Sequence, residues 1–102
     1  MMLFFPFSFF RVDGSSMAPT LSEGDYVFLL KTKAAKDDDI VVARKPGSDK
    51  MIIKRVLSHE NDDFFVIGDN HKASTDSRSF GPISRQEIIG RVILTLRKPK
   101  QK

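Results

Sequence analysis

Short runs of β-branched and aromatic residues, each cut off by a turn cluster, constrain this chain more than any other feature. Tyr26 to Lys31 is a mostly apolar run bounded by Gly24-Asp25 and a polar stretch. Ile40 to Arg44 and Met51 to Ser58 flank the turn sequence Lys45-Pro46-Gly47-Ser48-Asp49-Lys50, which predicts a hairpin. Glu60-Asn61-Asp62-Asp63 turns the chain again into Phe64 to Ile67, and Arg91 to Arg97 closes it as a last strand. Ser84-Arg85-Gln86-Glu87 has the Ser-x-x-Glu form of a helix capping box, which predicts one helical turn near 84–89. The expected fold class is therefore mainly β, a small antiparallel barrel or sandwich with at most one short helix.

At 102 residues the chain is expected to be a single domain over 1–102, with an apolar segment at 1–10 and a basic tail at 97–102. Hydrophobic residues make up 40% of it, including nine Phe and one Tyr, which excludes a disordered polymer. Cysteine is absent, so a disulfide framework and a cysteine nucleophile are both excluded. The net charge of +4 is carried largely by the tail Arg97-Lys98-Pro99-Lys100-Gln101-Lys102, which reads as a solvated end or as weak attraction to an anionic membrane surface. Basic and aromatic residues are not interleaved as on nucleic-acid platforms, so no nucleic-acid partner is expected.

Met1 to Phe10 carries no charged side chain, and Arg11 ends it at about half the 20 residues that a spanning helix needs. Pro6 argues against an uninterrupted helix, and a basic n-region and a small-residue cleavage site are missing. Two readings stand: a strand buried in the sheet, or an apolar edge in peripheral contact with a bilayer or a partner.

Three stretches carry chemistry. Val12 to Asp25 reads V-D-G-S-S-M-A-P-T-L-S-E-G-D, a Gly/Ser/Pro turn that presents Ser15 and Ser16 outward between two strands. The same composition also describes an ordinary surface loop. In the strand from Met51, alternate residues share a face, so Lys54 stands between Ile52 and Val56, while Arg55 points the other way and is set aside. Desolvation on such a face disfavours the ammonium and suits a lysine to act as a general base. Alternatively its stem lies on the sheet and its head snorkels to water. Gly68 to Arg78 is a long polar loop in which Asp69 and Asp76 offer acceptors and Arg78 a forked donor, so an internal salt bridge is expected. The three aspartates 37–39 read as a water-facing loop, the spacing at 69–78 misses a calcium loop, and His59 and His71 lack a paired spacing. No metal or other cofactor is expected.

The blocks S-M-x-P-T-L-x-x-G-D at 16–25, I-I-K-R-V at 52–56 and G-D-N-x-x-x-S-x-D-S-R-x-F-G-P at 68–82 occur in series. Together, over roughly Phe10 to Val92, they resemble the signal peptidase I family of serine/lysine endopeptidases. The resemblance implies Ser16 as nucleophile, Lys54 as general base and Ser74 as the hydroxyl that orients the lysine. Asp69, Asn70, Asp76 and Arg78 would support the loop, and the backbone N–H of Ser16 would serve the oxyanion. Gly14 stands where some members of the family place a second, hydroxyl donor, with Ser15 as a substitute. The implied substrate is a precursor whose leader is cut after small residues. Larger signal peptidases carry an inserted domain between the lysine and Gly-Asp-Asn blocks, and a membrane anchor before the serine block. This chain resembles a small, anchor-less member, similar to the peptidases that mature nickel-type superoxide dismutase. A general role in export would place it at a membrane, a dedicated maturation role in the cytoplasm. Self-cleaving repressors of the SOS type share such a dyad but add a DNA-binding domain before it. A non-catalytic binding module is the alternative outside enzymes.

Overall fold

A computed structural model of the chain describes residues 6–99. It contains seven strands: β1 Phe7–Arg11, β2 Tyr26–Leu30, β3 Ile40–Arg44, β4 Met51–Glu60, β5 Asp63–Ile67, β6 Ile83–Ser84 and β7 Ile88–Leu96. One short helix, α1 at Ser77–Phe80, and two single 3-10 turns at His71–Ala73 and Arg85–Glu87 complete the described residues. The strands form one antiparallel sheet in the order β1-β2-β7-β3-β4-β5-β6. The mainly β class expected from the strand pattern is the class observed.

Each face of β3 carries its own core. Val42 pairs with Ile53 and joins Val12, Met17, Leu21, Val27 and Leu29 in one cluster. Its neighbour Val41 pairs with Lys54 and joins Val56, Phe64, Val66, Ile83 and Ile88 in the other. Successive strand side chains point to opposite faces, so a strand buried on both sides must read as the unbroken apolar run found at 40–43.

The boundaries moved in three places. β4 runs on to Glu60 and β7 begins at Ile88, each extended by ladder pairing with a neighbour. The turn at 84–89 is 3-10, and Ser84 makes no side-chain capping bond; it is recruited into β6, opposite Asp63. The helix lies instead at Ser77–Phe80, where the Asp76 side chain accepts from Arg78 N–H as its cap. Of the expected apolar segment at 1–10, Met1 to Phe5 fall outside the described residues. Its remainder is an end strand, β1, rather than a buried one. Phe7 is 44% and Phe9 58% exposed, and both rings pack on Phe28 with centroids 5.3 and 4.8 Å apart. With Tyr26, Leu94 and Leu96, also exposed, they form an apolar sheet face. No helix among the described residues is long and apolar enough to cross a membrane.

Candidate active site

A cleft of about 540 Å³ is lined by Gly14, Ser15 and Ser16 on one side and by Ile52, Ile53 and Lys54 on the other. The serine loop is rooted in the first core by Met17 and Leu21, both fully buried. Ser16 therefore sits at the rim of a fixed turn. Among the described residues its backbone N–H has no acceptor.

Lys54 reaches the cleft from β4. It is only 5% exposed and shares its face with Val41 and Val56, so its stem is held among apolar side chains. Its Nζ donates to Ser74 Oγ at 3.0 Å, and Ser74 Oγ in turn donates to Asp76 Oδ2 at 2.8 Å. Desolvation lowers the Lys54 pKa from its usual value, and the positive charges of Lys50 and Arg78 act in the same direction, against the opposing pull of Asp76. Were the amine deprotonated, it could spend one N–H on Ser74 and keep its lone pair for a proton.

Asp76 is fully buried and accepts from four groups: Ser74, Gly68 N–H at 2.9 Å, and Arg78 through its backbone and its side chain. Burial alone would raise its pKa; the Arg78, Gly68 and Ser74 hydrogen bonds outweigh that and hold the carboxyl well below the ordinary range. Arg78 also donates to the His71 carbonyl at 2.9 Å, which closes the loop on itself.

Gly68 and its two successors bind the halves of the cleft together. A Cβ on Gly68 would stand 2.5 Å from the Ser16 carbonyl oxygen and collide with Ser74 Oγ, so only glycine lets the serine loop and the lysine's partner approach this closely. Asn70 N–H donates to the Ser16 carbonyl at 2.8 Å, and Asn70 Nδ2 to the Ser15 carbonyl at 3.0 Å. Asp69 accepts from Thr20 Oγ1 at 2.6 Å and from both prongs of Arg55 at 2.9 and 2.8 Å. The hydrogen bond from Arg55 chiefly lowers the Asp69 pKa.

Ser15, Ser16 and Lys54 thus line this cleft, and Ser74 contacts the lysine amine. Asp69, Asn70, Asp76 and Arg78 brace the loops that form it, whereas His59 lies elsewhere, against Asp37. Sequence reasoning missed three others. Arg55 does face away from Lys54, but it grips the loop from the opposite side of the strand. Thr20 supplies the matching contact from the serine loop. Asp25, 2% exposed, accepts from Ser22 N–H and Lys98 N–H and anchors the loop's far end, and those bonds lower its pKa. A lone acid after a glycine in a turn was the available signal.

Residues 6–93 match the Peptidase S24-like family, so the chain belongs to that family of peptidases. The chain is similar to the human mitochondrial inner membrane protease subunit 1, at 34% identity over 81% of the chain and 65% of the relative. It is 32% identical to the Arabidopsis thaliana mitochondrial ATP-independent inner membrane protease subunit 1a, over 88% of the chain and 70% of the relative. Signal peptidase I of Streptococcus pneumoniae serotype 4 is 38% identical over 55% of the chain and 31% of the relative. The resemblance to the signal peptidase I family holds. The chain spans 65% and 31% of the length of the first and third of these relatives.

Proposed function

We propose that this chain is a serine-type endopeptidase that removes leader or signal peptides from precursor proteins, using Ser16 as nucleophile and Lys54 as general base. One observation carries the reading: a buried, hydrogen-bonded lysine amine opens on the same cleft as a turn-presented serine. Ser16 Oγ attacks the scissile carbonyl while Lys54 Nζ takes the hydroxyl proton. The oxyanion accepts from the Ser16 N–H, whose lack of an internal acceptor leaves it available. Lys54 then passes its proton to the leaving amine, and water hydrolyses the acyl-enzyme by the reverse sequence. Ser74 orients Lys54, and Asp69, Asn70, Asp76 and Arg78 support the loop as positioning residues. The similar proteins named as inner membrane proteases and the apolar face at Phe7 and Phe9 support action beside a bilayer, and cutting after small residues is what the family resemblance implies.

The decisive experiment compares protein N-termini by mass spectrometry in cells carrying wild-type protein or Ser16→Ala. Many retained leaders in the variant identify a general leader peptidase, and a single retained precursor identifies a dedicated maturation peptidase. Unchanged N-termini would leave a non-catalytic binding module. With peptide substrates, Ser16→Ala should lose at least about a thousandfold in kcat/KM, while Ser15→Ala keeps most of it. Equal losses in folded protein would sink Ser16 as nucleophile. Lys54→Met, which keeps the stem and removes the amine, should inactivate to a similar degree with an unchanged circular dichroism spectrum.

A further inference from the structure

Three lysines line the cleft, and only Lys54 has a role in the chemistry above. Lys45 and Lys50 bracket the β3–β4 turn. That turn is well held: Lys45 N–H donates to the Lys50 carbonyl at 2.8 Å, Ser48 N–H to the Lys45 carbonyl at 3.1 Å, and Lys50 N–H to Ser48 Oγ at 3.0 Å. Both lysines are thus carried on an ordered hairpin tip at the cleft mouth. Among the described residues neither ammonium makes an ion pair. The one acid on the cleft wall, Asp13, is engaged by Arg11 at 2.7 Å, and Asp49 of the turn is not on that wall. Two uncompensated positive charges therefore overlook the reacting groups. The Lys50 charge works against protonation of Lys54, and both ammonium groups attract any anionic side chain on a peptide laid in the cleft.

We infer that Lys45 and Lys50 are specificity-determining residues that select precursor segments with an aspartate or glutamate close to the scissile bond. The inference deepens the peptidase reading and rests on it. Exposed charge pairs are weak and salt-sensitive, so each lysine should contribute about two- to fivefold in selectivity, falling as ionic strength rises.

The test uses C-terminally amidated peptides of one sequence carrying Asp, Asn or Lys at successive positions around the cut. They are compared in kcat/KM on wild type, Lys45→Ala/Lys50→Ala and Lys45→Glu/Lys50→Glu, and in fluorescence anisotropy on Ser16→Ala protein. At low salt, wild type should favour Asp over Asn by about tenfold at one or more positions. The double alanine variant should lose that preference and the double glutamate variant should turn it toward Lys. Ranking peptides within each variant cancels any general effect on folding or on Lys54. Equal use of the Asp and Asn peptides by wild type, or a preference that survives the double alanine change, overturns the inference and leaves the peptidase reading intact. Absence of cleavage together with preferential binding of Asp peptides sinks the peptidase reading and upholds charge selection. Absence of both sinks the two together.

Discussion

Two aspartate–arginine pairs brace the site, and they brace different things. Asp69 and Arg55 come from separate elements, loop and β4, and Asp69 takes a third bond from Thr20 on the serine loop. Its contacts therefore fix one half of the cleft against the other. Asp76 and Arg78 lie two residues apart within one loop, and Asp76 spends its remaining capacity on Ser74 and Gly68 N–H. Its contacts fix the surroundings of the lysine amine. The first pair holds the serine loop against β4, and the second holds the surroundings of the Lys54 amine.

Removing Asp69 should have the larger structural effect. Asp69→Ala strips Arg55 of both carboxylate bonds and Thr20 of its acceptor, so thermal or urea unfolding should show a loss of about 2–3 kcal/mol, with activity falling alongside. A change within error would mean that the pair is idle. Asp76→Asn should act on pH dependence instead. Activity should rise with pH as Lys54 loses its proton, and because the Asp76 charge raises the Lys54 pKa, removing it should move the rising limb to lower pH. Asp69→Asn should leave that limb in place, since its charge does not figure in the Lys54 shift. A shift in the same direction in both variants would erase the distinction. The smallest effect is expected for Thr20→Val, which deletes one hydroxyl bond to Asp69 and should cost about 0.5–1.5 kcal/mol with the pH profile unchanged.

Why were some of these groups visible in the sequence and others not? Gly, Ser and Pro define the turn that carries Ser15 and Ser16 without reference to anything distant; the choice of Ser16 over Ser15 came from the family resemblance alone. Lys54 was legible because strand alternation fixes its face locally. The strands at 40–44 and 51–58 were legible for the same reason. Arg55 was not, because alternation shows only that it points away from Lys54. What it meets there is decided by a loop fourteen residues on, brought back by the turn from β5. Ser84 misled because the capping box is a local rule, and pairing with Asp63 in β6 overrode it. The real helix cap, Asp76, was read only as a loop brace. The end-strand position of Phe7 to Arg11 depends on which strand takes the place beside β2, and no pattern within the segment encodes that.

The double-sided burial of β3 has a consequence for how this molecule would fail. The serine loop is tied to the core on one face through Met17 and Leu21, whereas Lys54 rises from the other face beside Val41 and Val56. The proposed nucleophile and base stand on either side of the seam between two packing units that share a single central strand. On the proposed mechanism, loosening either unit would part Ser16 from Lys54. Turnover thus reports the joint integrity of both units, and heating should extinguish it ahead of the amide protection of whichever unit is the sturdier.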